Sequence, residues 1–335
     1  MRIAIVTDAW HPQVNGVVRT LSTVQAGLET AGHVVAVFGP DRYRTVPCPG
    51  YASIRLAIGA GRTLGRQLAE FQPQAVHIAT EGPLGLAARS YCLGQDWPFT
   101  TAYHTRFPEY VKARCFLPLA WSYAALRRFH APSRRIMVAT ETVRRELREW
   151  GFDRLVAWTR GVDTALFRPG CAPAVELPRP VFLYIGRVAV EKNLPAFLDL
   201  DLPGSKLVVG DGPLLSAMQR RYPAVHFVGA QSGEALVRHY AAADVMVLPS
   251  RTETFGLVML EAMACGVPVA AYPSAGPNDV IGDSGAGVID RDLRAAALAA
   301  LSIPQERCLA HAQRFSWQAS INEFAGNLVP FNGAA

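Results

Sequence analysis

Short apolar runs alternate with helix-period segments along nearly the whole chain, and that rhythm restricts the fold more than any other feature. Residues 3–6 form an apolar run, residues 17–29 repeat at helical spacing, Gly32 closes that helix, and residues 34–38 begin the next run. This is a strand-helix-strand opening. Further runs at 75–79 and 99–104 precede helices that start near Gly82 and Pro108, and residues 137–139 follow a basic helix. A second series occupies 181–185, 206–209, 225–228, 244–248 and 267–271, again with helical segments between. Strands covered by helices on both faces are apolar throughout rather than alternating, so the expectation is an α/β chain with doubly wound parallel sheets.

With 335 residues the chain exceeds the usual size of one hydrophobic core, which predicts two domains. The rhythm fails between residues 163 and 180, where four prolines interrupt any period. Domains at 1–165 and 181–314 are therefore expected, joined by a linker at 166–180 and followed by a tail at 315–335 that begins as a helix. In such sheets ligands bind beyond the carboxyl ends of the strands. The loops that leave those ends are where chemistry is expected.

Charge is uneven. Residues 1–165 hold 20 Lys+Arg against 12 Asp+Glu, whereas the remainder holds 13 against 15. Arg127, Arg128, Arg134, Arg135, Arg144, Arg145 and Arg148 crowd one stretch and suit an anionic membrane surface or an acidic acceptor, or else an ordinary solvated face. No pattern reads nucleic-acid bases. Cysteines 48, 92, 115, 171, 265 and 308 show no CxxC pair and no metal spacing, which indicates a reducing cytoplasm, no disulfide frame and no metal centre. The first apolar run is too short for a signal peptide and no later run reaches membrane-spanning length, so the expected place is the cytoplasm, peripheral on the inner face of the plasma membrane.

The most telling local pattern is the stretch Arg-Thr-Glu-Thr-Phe-Gly-Leu-Val-Met-Leu-Glu-Ala-Met-Ala-Cys-Gly at 251–266, after the apolar run ending at Pro249. Glu253 falls in a loop and Glu261 in the helix that follows. From Phe255 through Gly256 and Leu257 the new helix offers unpaired amides, and glycine lets a diphosphate approach them. Glu261 lies roughly 9 Å beyond Phe255 along the axis, so the two carboxylates grip different parts of one ligand. Arg187 and Lys192 follow the strand at 181–185, and Lys192 is one of only three lysines. Two cations there suit a departing diphosphate, whose charge grows in the transition state. Asp199 and Asp201 imitate a metal-binding DxD pair but sit at a helix end before Pro203 and Gly204, where aspartates favour turns.

These residues resemble the retaining GT-B glycosyltransferases, the large family of bacterial mannosyl- and glucosyltransferases whose signature is two glutamates with seven residues between them. Glu253 and Glu261 match it, as do Arg187 and Lys192 at the donor phosphates. The segment 8–19, with Asn15 and Gly16, is similar to the matching loop of GDP-mannose-dependent α-mannosyltransferases. The resemblance implies two facing Rossmann-like domains with a cleft between them, and a tail that crosses back onto the first. It implies that Glu253 meets the donor sugar, Glu261 the ribose and His104 the sugar near its anomeric carbon. Catalytic candidates are thus His104, Arg187, Lys192 and Glu253. Donor-binding candidates add Gly16, Gly210, Asp211, Phe255, Gly256, Leu257 and Glu261. Asn15, Glu81 and Arg106 are the acceptor-side candidates, although Glu81 equally suits the dipole of the helix it precedes.

The implied reaction is metal-independent transfer of a hexose, mannose from GDP-mannose above others, to a hydroxyl of a lipid or glycan acceptor with α linkage, without a cofactor. A UDP-dependent glucosyl- or sulfoquinovosyltransferase is the nearest alternative. An epimerase of the same architecture would need no acceptor surface. A catalytically silent nucleotide-sugar-binding module at the membrane is the alternative from another class.

Overall fold

The structure, a computed structural model, describes residues 1–13, 15–48, 51–115 and 117–331. It divides into two compact units, one built from the chain up to Thr159 together with the segment from Trp317 onward, the other from Arg160–Ser316.

The first unit contains β1 (Arg2–Val6), β2 (Val34–Phe38), β3 (Thr45–Cys48), β4 (Tyr51–Ala57), β5 (Ala75–Ile78), β6 (Phe99–Tyr103), β7 (Arg135–Val138) and β8 (Leu155–Ala157). Six of them form a parallel sheet in the order β2-β1-β5-β6-β7-β8, while β3 and β4 make a separate antiparallel hairpin. Because side chains alternate across a strand, Ile3 and Ile5 face one way and Ala4 and Val6 the other. The first face packs on Leu21, Val24 and Leu28 of the Gly16–Thr30 helix and on Ile321 and Phe324 of the Trp317–Asn327 helix. The second face packs on Leu64, Leu68, Leu84 and Ala88. Full burial of each valine, leucine, isoleucine or phenylalanine among them stabilises by about 1.5–3 kcal/mol. Gly27 lets the Trp317–Asn327 helix approach, since a Cβ there would collide with Ile321. That helix is also tied to the end of the sheet: Ser320 Oγ donates to the Thr159 carbonyl at 2.8 Å and the Thr159 amide donates to Glu323 Oε2 at 2.7 Å.

The second unit repeats the plan with β9 (Val181–Ile185), β10 (Ser205–Val209), β11 (His226–Phe227), β12 (Val245–Leu248), β13 (Val269–Ala271) and β14 (Gly287–Ile289). Its parallel sheet runs β11-β10-β9-β12-β13-β14. Phe182, Tyr184, Val208, Val245 and Val247 join Leu194, Phe197, Leu293 and Ala297 in its core. Both units are Rossmann-like. In each, strand order reverses beside the first strand, between β1 and β5 and between β9 and β12, and loops leaving carboxyl ends at such a point diverge to leave a crevice.

The segment expected as a linker at 166–180 packs on the second unit, and the two units divide at Thr159/Arg160. Phe167 is fully buried with its ring edge-on to Tyr240, Arg168 pairs with Glu234 at 3.1 Å, and the Ala174 amide donates to the Arg238 carbonyl. Prolines stopped the periodicity there without stopping the packing. Cys92, Cys171, Cys265 and Cys308 are free thiols, and the side chain of Cys115 lies outside the described residues. Burial pushes the Cys92 and Cys265 thiols up to about 12, which leaves them protonated and unreactive at neutral pH. Among the described residues no helix is long and apolar enough to cross a membrane.

Candidate active site

In the second unit the loops at the carboxyl ends of β9, β10 and β12 interlock. Beyond β9, Gly186 and Arg187 lead to a short 3-10 turn, Val190–Lys192, that ends at Asn193 in the left-handed region with φ 52°. The Asn193 side chain donates to the Pro249 carbonyl at 3.2 Å, and Ser250 and Thr252 hydroxyls reach the Glu191 carbonyl at 3.4 and 3.5 Å. The turn bearing Lys192 is thereby fastened to the loop bearing Glu253. Their side chains meet: Lys192 Nζ donates to Glu253 Oε2 at 2.6 Å, with the two side chains 22% and 13% exposed. The backbone of Glu253 is fixed too, its carbonyl accepting from the Gly276 amide at 2.9 Å.

Immediately afterwards Gly256 adopts φ 84° and stands at the N-cap of the Leu257–Ala264 helix, where it has no side chain to cap the first amides. Phe255 is buried beneath, edge-on to Phe315. Glu261 is 4% exposed and accepts from the Tyr240 hydroxyl at 2.9 Å. Tyr240 closes the Gly233–Tyr240 helix and carried no signal in the sequence. Arg187 is held by its backbone, whose carbonyl accepts from the Tyr184 hydroxyl at 2.8 Å. Gly210 and Asp211 lie beside it: the Val188 amide donates to the Asp211 carbonyl at 2.9 Å, and the Asp211 carboxylate accepts from Gly212.

In the first unit the loops beyond β1, β5 and β6 carry Asp8, Glu81 and His104. Asp8, which no pattern in the sequence singled out, is the hub. Its carboxylate accepts from the Leu84 amide at 2.9 Å, the Gly85 amide at 3.3 Å and the Thr80 hydroxyl at 2.8 Å. It therefore caps the Pro83–Gly94 helix from a distant loop, in place of a local capping residue. Burial is the largest influence on this group and raises its carboxyl above the ordinary aspartate value, against the three donors that pull it down. Asp8→Ala strands two helix amides and a hydroxyl in the interior, so a loss of about 2–3 kcal/mol in urea unfolding is expected. An unchanged midpoint would remove Asp8 from this role.

Arg106, Asn15 and part of the arginine cluster have partners within the chain. Arg106, expected toward the acceptor, is paired with Glu146 and lies 3.9 Å from Glu109, because its chain direction beyond β6 brings it over the Glu141–Glu149 helix. Asn15, also expected there, turns its Oδ1 back onto the Val17 and Val18 amides at 3.0 Å, so those amides beyond Gly16 already have an acceptor. Within the arginine cluster, Arg127 and Arg128 lie on the Leu119–His130 helix and Arg144, Arg145 and Arg148 on the Glu141–Glu149 helix. Arg127 donates to the Trp150 carbonyl, Arg135 to the Gly326 carbonyl, and Arg144 and Arg148 both pair with Glu141. His104 packs edge-on to Trp158 at 5.4 Å between centroids. Asp199 of the DxD imitation accepts from the Tyr222 hydroxyl at 2.6 Å and faces Arg221 at 3.5 Å.

Residues 14–166 match the family model described as Glycosyltransferase Family 4, and residues 179–304 match the one described as Glycosyl transferases group 1. A GDP-mannose-dependent alpha-mannosyltransferase of Mycobacterium tuberculosis (strain CDC 1551 / Oshkosh) is 30% identical, across 84% of this chain and 81% of its own length. A sulfoquinovosyl transferase of Arabidopsis thaliana is also 30% identical, across 71% of this chain but only 50% of its own. Among solved structures, sucrose-phosphate synthase from Thermosynechococcus elongatus superposes with a TM-score of 0.79 at 21% identity, covering 97% of each chain. That last likeness is one of fold.

Proposed function

The chain belongs to the GT-B glycosyltransferases that combine a family 4 domain with a group 1 domain, and from that premise we propose that it transfers mannose from GDP-mannose to a lipid or glycan hydroxyl with retention of the α configuration. The observation that carries the reading is the Lys192–Glu253 contact beside the amino end of the Leu257–Ala264 helix. Glu253 offers a carboxylate to sugar hydroxyls, while Lys192, Arg187 and the helix amides from Phe255 to Leu257 offer positive potential to the diphosphate. Glu261 takes the ribose, and Gly210 and Asp211 border the nucleotide.

In the proposed step the bond from the anomeric carbon to the diphosphate oxygen breaks, and the acceptor oxygen bonds to that carbon on the same face. The acceptor proton passes to the departing phosphate oxygen, so positioning and charge neutralisation are the protein's contribution. His104 supports the sugar and Glu81 the acceptor. The mannosyltransferase of Mycobacterium matches over a larger share of both lengths than the sulfoquinovosyl transferase, which favours GDP-mannose; the latter favours a UDP-linked glucosyl or sulfoquinovosyl donor as second reading. A lipid acceptor and contact with an anionic membrane surface are supported by Trp121, 70% exposed, and by exposed Phe107 and Leu117 in the basic unit.

Thermal-shift screening against GDP-mannose, UDP-glucose and UDP-sulfoquinovose tests this. A donor at a hundredfold excess over its Kd should add about 2.7 kcal/mol to stability. GDP-mannose is expected to give the largest shift and to release GDP with an α-linked product. A β-linked product, or no response to any nucleotide sugar, would overturn the reading.

A further inference from the structure

Glu81 has two possible uses at the start of the Pro83–Gly94 helix, and the structure separates them. A glutamate in that position commonly complements the helix dipole or caps the first amides. Here the Leu84 and Gly85 amides are already bonded to Asp8. Capping does not account for Glu81. Its side chain is 22% exposed, at the carboxyl edge of β5, and among the described residues its carboxylate accepts a hydrogen bond from one group, His130 Nε2, at 3.3 Å.

His130 is the last residue of the Leu119–His130 helix and its side chain is wholly buried. Its other ring nitrogen, Nδ1, lies 2.9 Å from Thr101 Oγ1, which in turn lies 3.2 Å from Ser133 Oγ. Phe129 and Phe152 wall the ring. A carboxylate only accepts, so the proton in the contact with Glu81 belongs to Nε2. The imidazole cannot rotate without giving up Thr101, and the Glu81 carboxylate is consequently held by Oε1, with Oε2 left without a hydrogen bond among the described residues. A buried polar chain that ends on a single partly exposed carboxylate oxygen fixes an orientation and does little else.

We propose that His130 is a positioning residue that presents Oε2 of Glu81 to a hydroxyl of the acceptor next to the one that attacks. The inference rests on the glycosyltransferase reading and deepens its acceptor side. Glu81 accepts a hydrogen bond from an acceptor hydroxyl beside the one that attacks and so orients the acceptor, while the attacking hydroxyl keeps its own proton, which leaves with the phosphate.

The test uses the full chain and the donor that stabilises it, measuring nucleotide release to water and transfer to two probes, glycerol and n-octyl α-D-mannoside. His130→Asn keeps the Thr101 contact but loses the reach to Glu81; His130→Gln places an amide where Nε2 was. The expected result is that H130N raises the probe KM and lowers transfer about tenfold, with release to water far less affected, and that H130Q restores most of the transfer. Glu81→Gln should mimic H130N. Nitrogen-15 spectra of the imidazoles supply a second readout: His130 should carry its proton on Nε2, and its resonance should move in E81A. Nucleotide release with unchanged partition between water and probe in H130N, or a ring bare at Nε2 and insensitive to E81A, overturns the inference alone. Failure of every donor to release nucleotide overturns the function reading and the inference with it.

Discussion

Alanine at Lys192 is expected to lower nucleotide release from the donor by roughly 10²–10³-fold, the usual effect of removing one preorganised group that stabilises developing charge. Two losses combine. A cation that the proposed function assigns to the departing diphosphate disappears, and Glu253 loses the partner that holds its carboxylate at 2.6 Å. Because the pair is mostly sheltered, at 22% and 13% exposure, its electrostatics are only partly screened and Glu253 is left with an uncompensated charge. Lys192→Arg should recover part of the rate, since charge is kept while the reach to Oε2 changes. If the two residues act as one unit, the K192A/E253A double variant will fall little below either single variant. Wild-type turnover in K192A, with circular dichroism showing a folded chain, would dismiss the pair from the reaction.

How much of this was legible in the sequence depends on range. β1, β2, β5, β6, β9, β10 and β12 stand out because each is a mainly apolar run, and β9 and β12 are buried throughout. β8 and β14, three residues each, and the β3–β4 hairpin are too short or too polar to stand above loop composition. The Phe167 strap was hidden by prolines that end regular structure without ending burial. At the site, Glu253 and Lys192 were legible as residues but their contact was not, since 61 positions separate them. The Asp8 cap spans 76 positions and the His130–Glu81 contact 49. Such pairings come from sheet order, which local periodicity does not encode.

Alanine at Gly210 is expected to destabilise the second unit by about 4 kcal/mol or more and to abolish donor binding along with it. The cation-bearing loop after β9 is held against the loop after β10 by backbone groups: the Gly186 amide donates to the Val209 carbonyl, Val188 to Asp211 and Leu214 to Val188. That proximity leaves no room for a side chain. A Cβ on Gly210 would collide with the Gly186 carbonyl oxygen and stand 2.9 Å from its carbon, and the residue's φ of 150° disfavours any other amino acid. Neither neighbour is a flexible side-chain end, so the strain must displace the loop that carries Arg187 and Lys192. Gly170 provides the control, because its φ is 85° with nothing within 4 Å of an added Cβ, and Gly170→Ala should cost only the conformational penalty of about 1–2 kcal/mol. Urea unfolding of both variants separates collision from conformation. Equal midpoints for G210A and G170A would mean that the two loops can part without loss, and that backbone contact is not what fixes the cations in place.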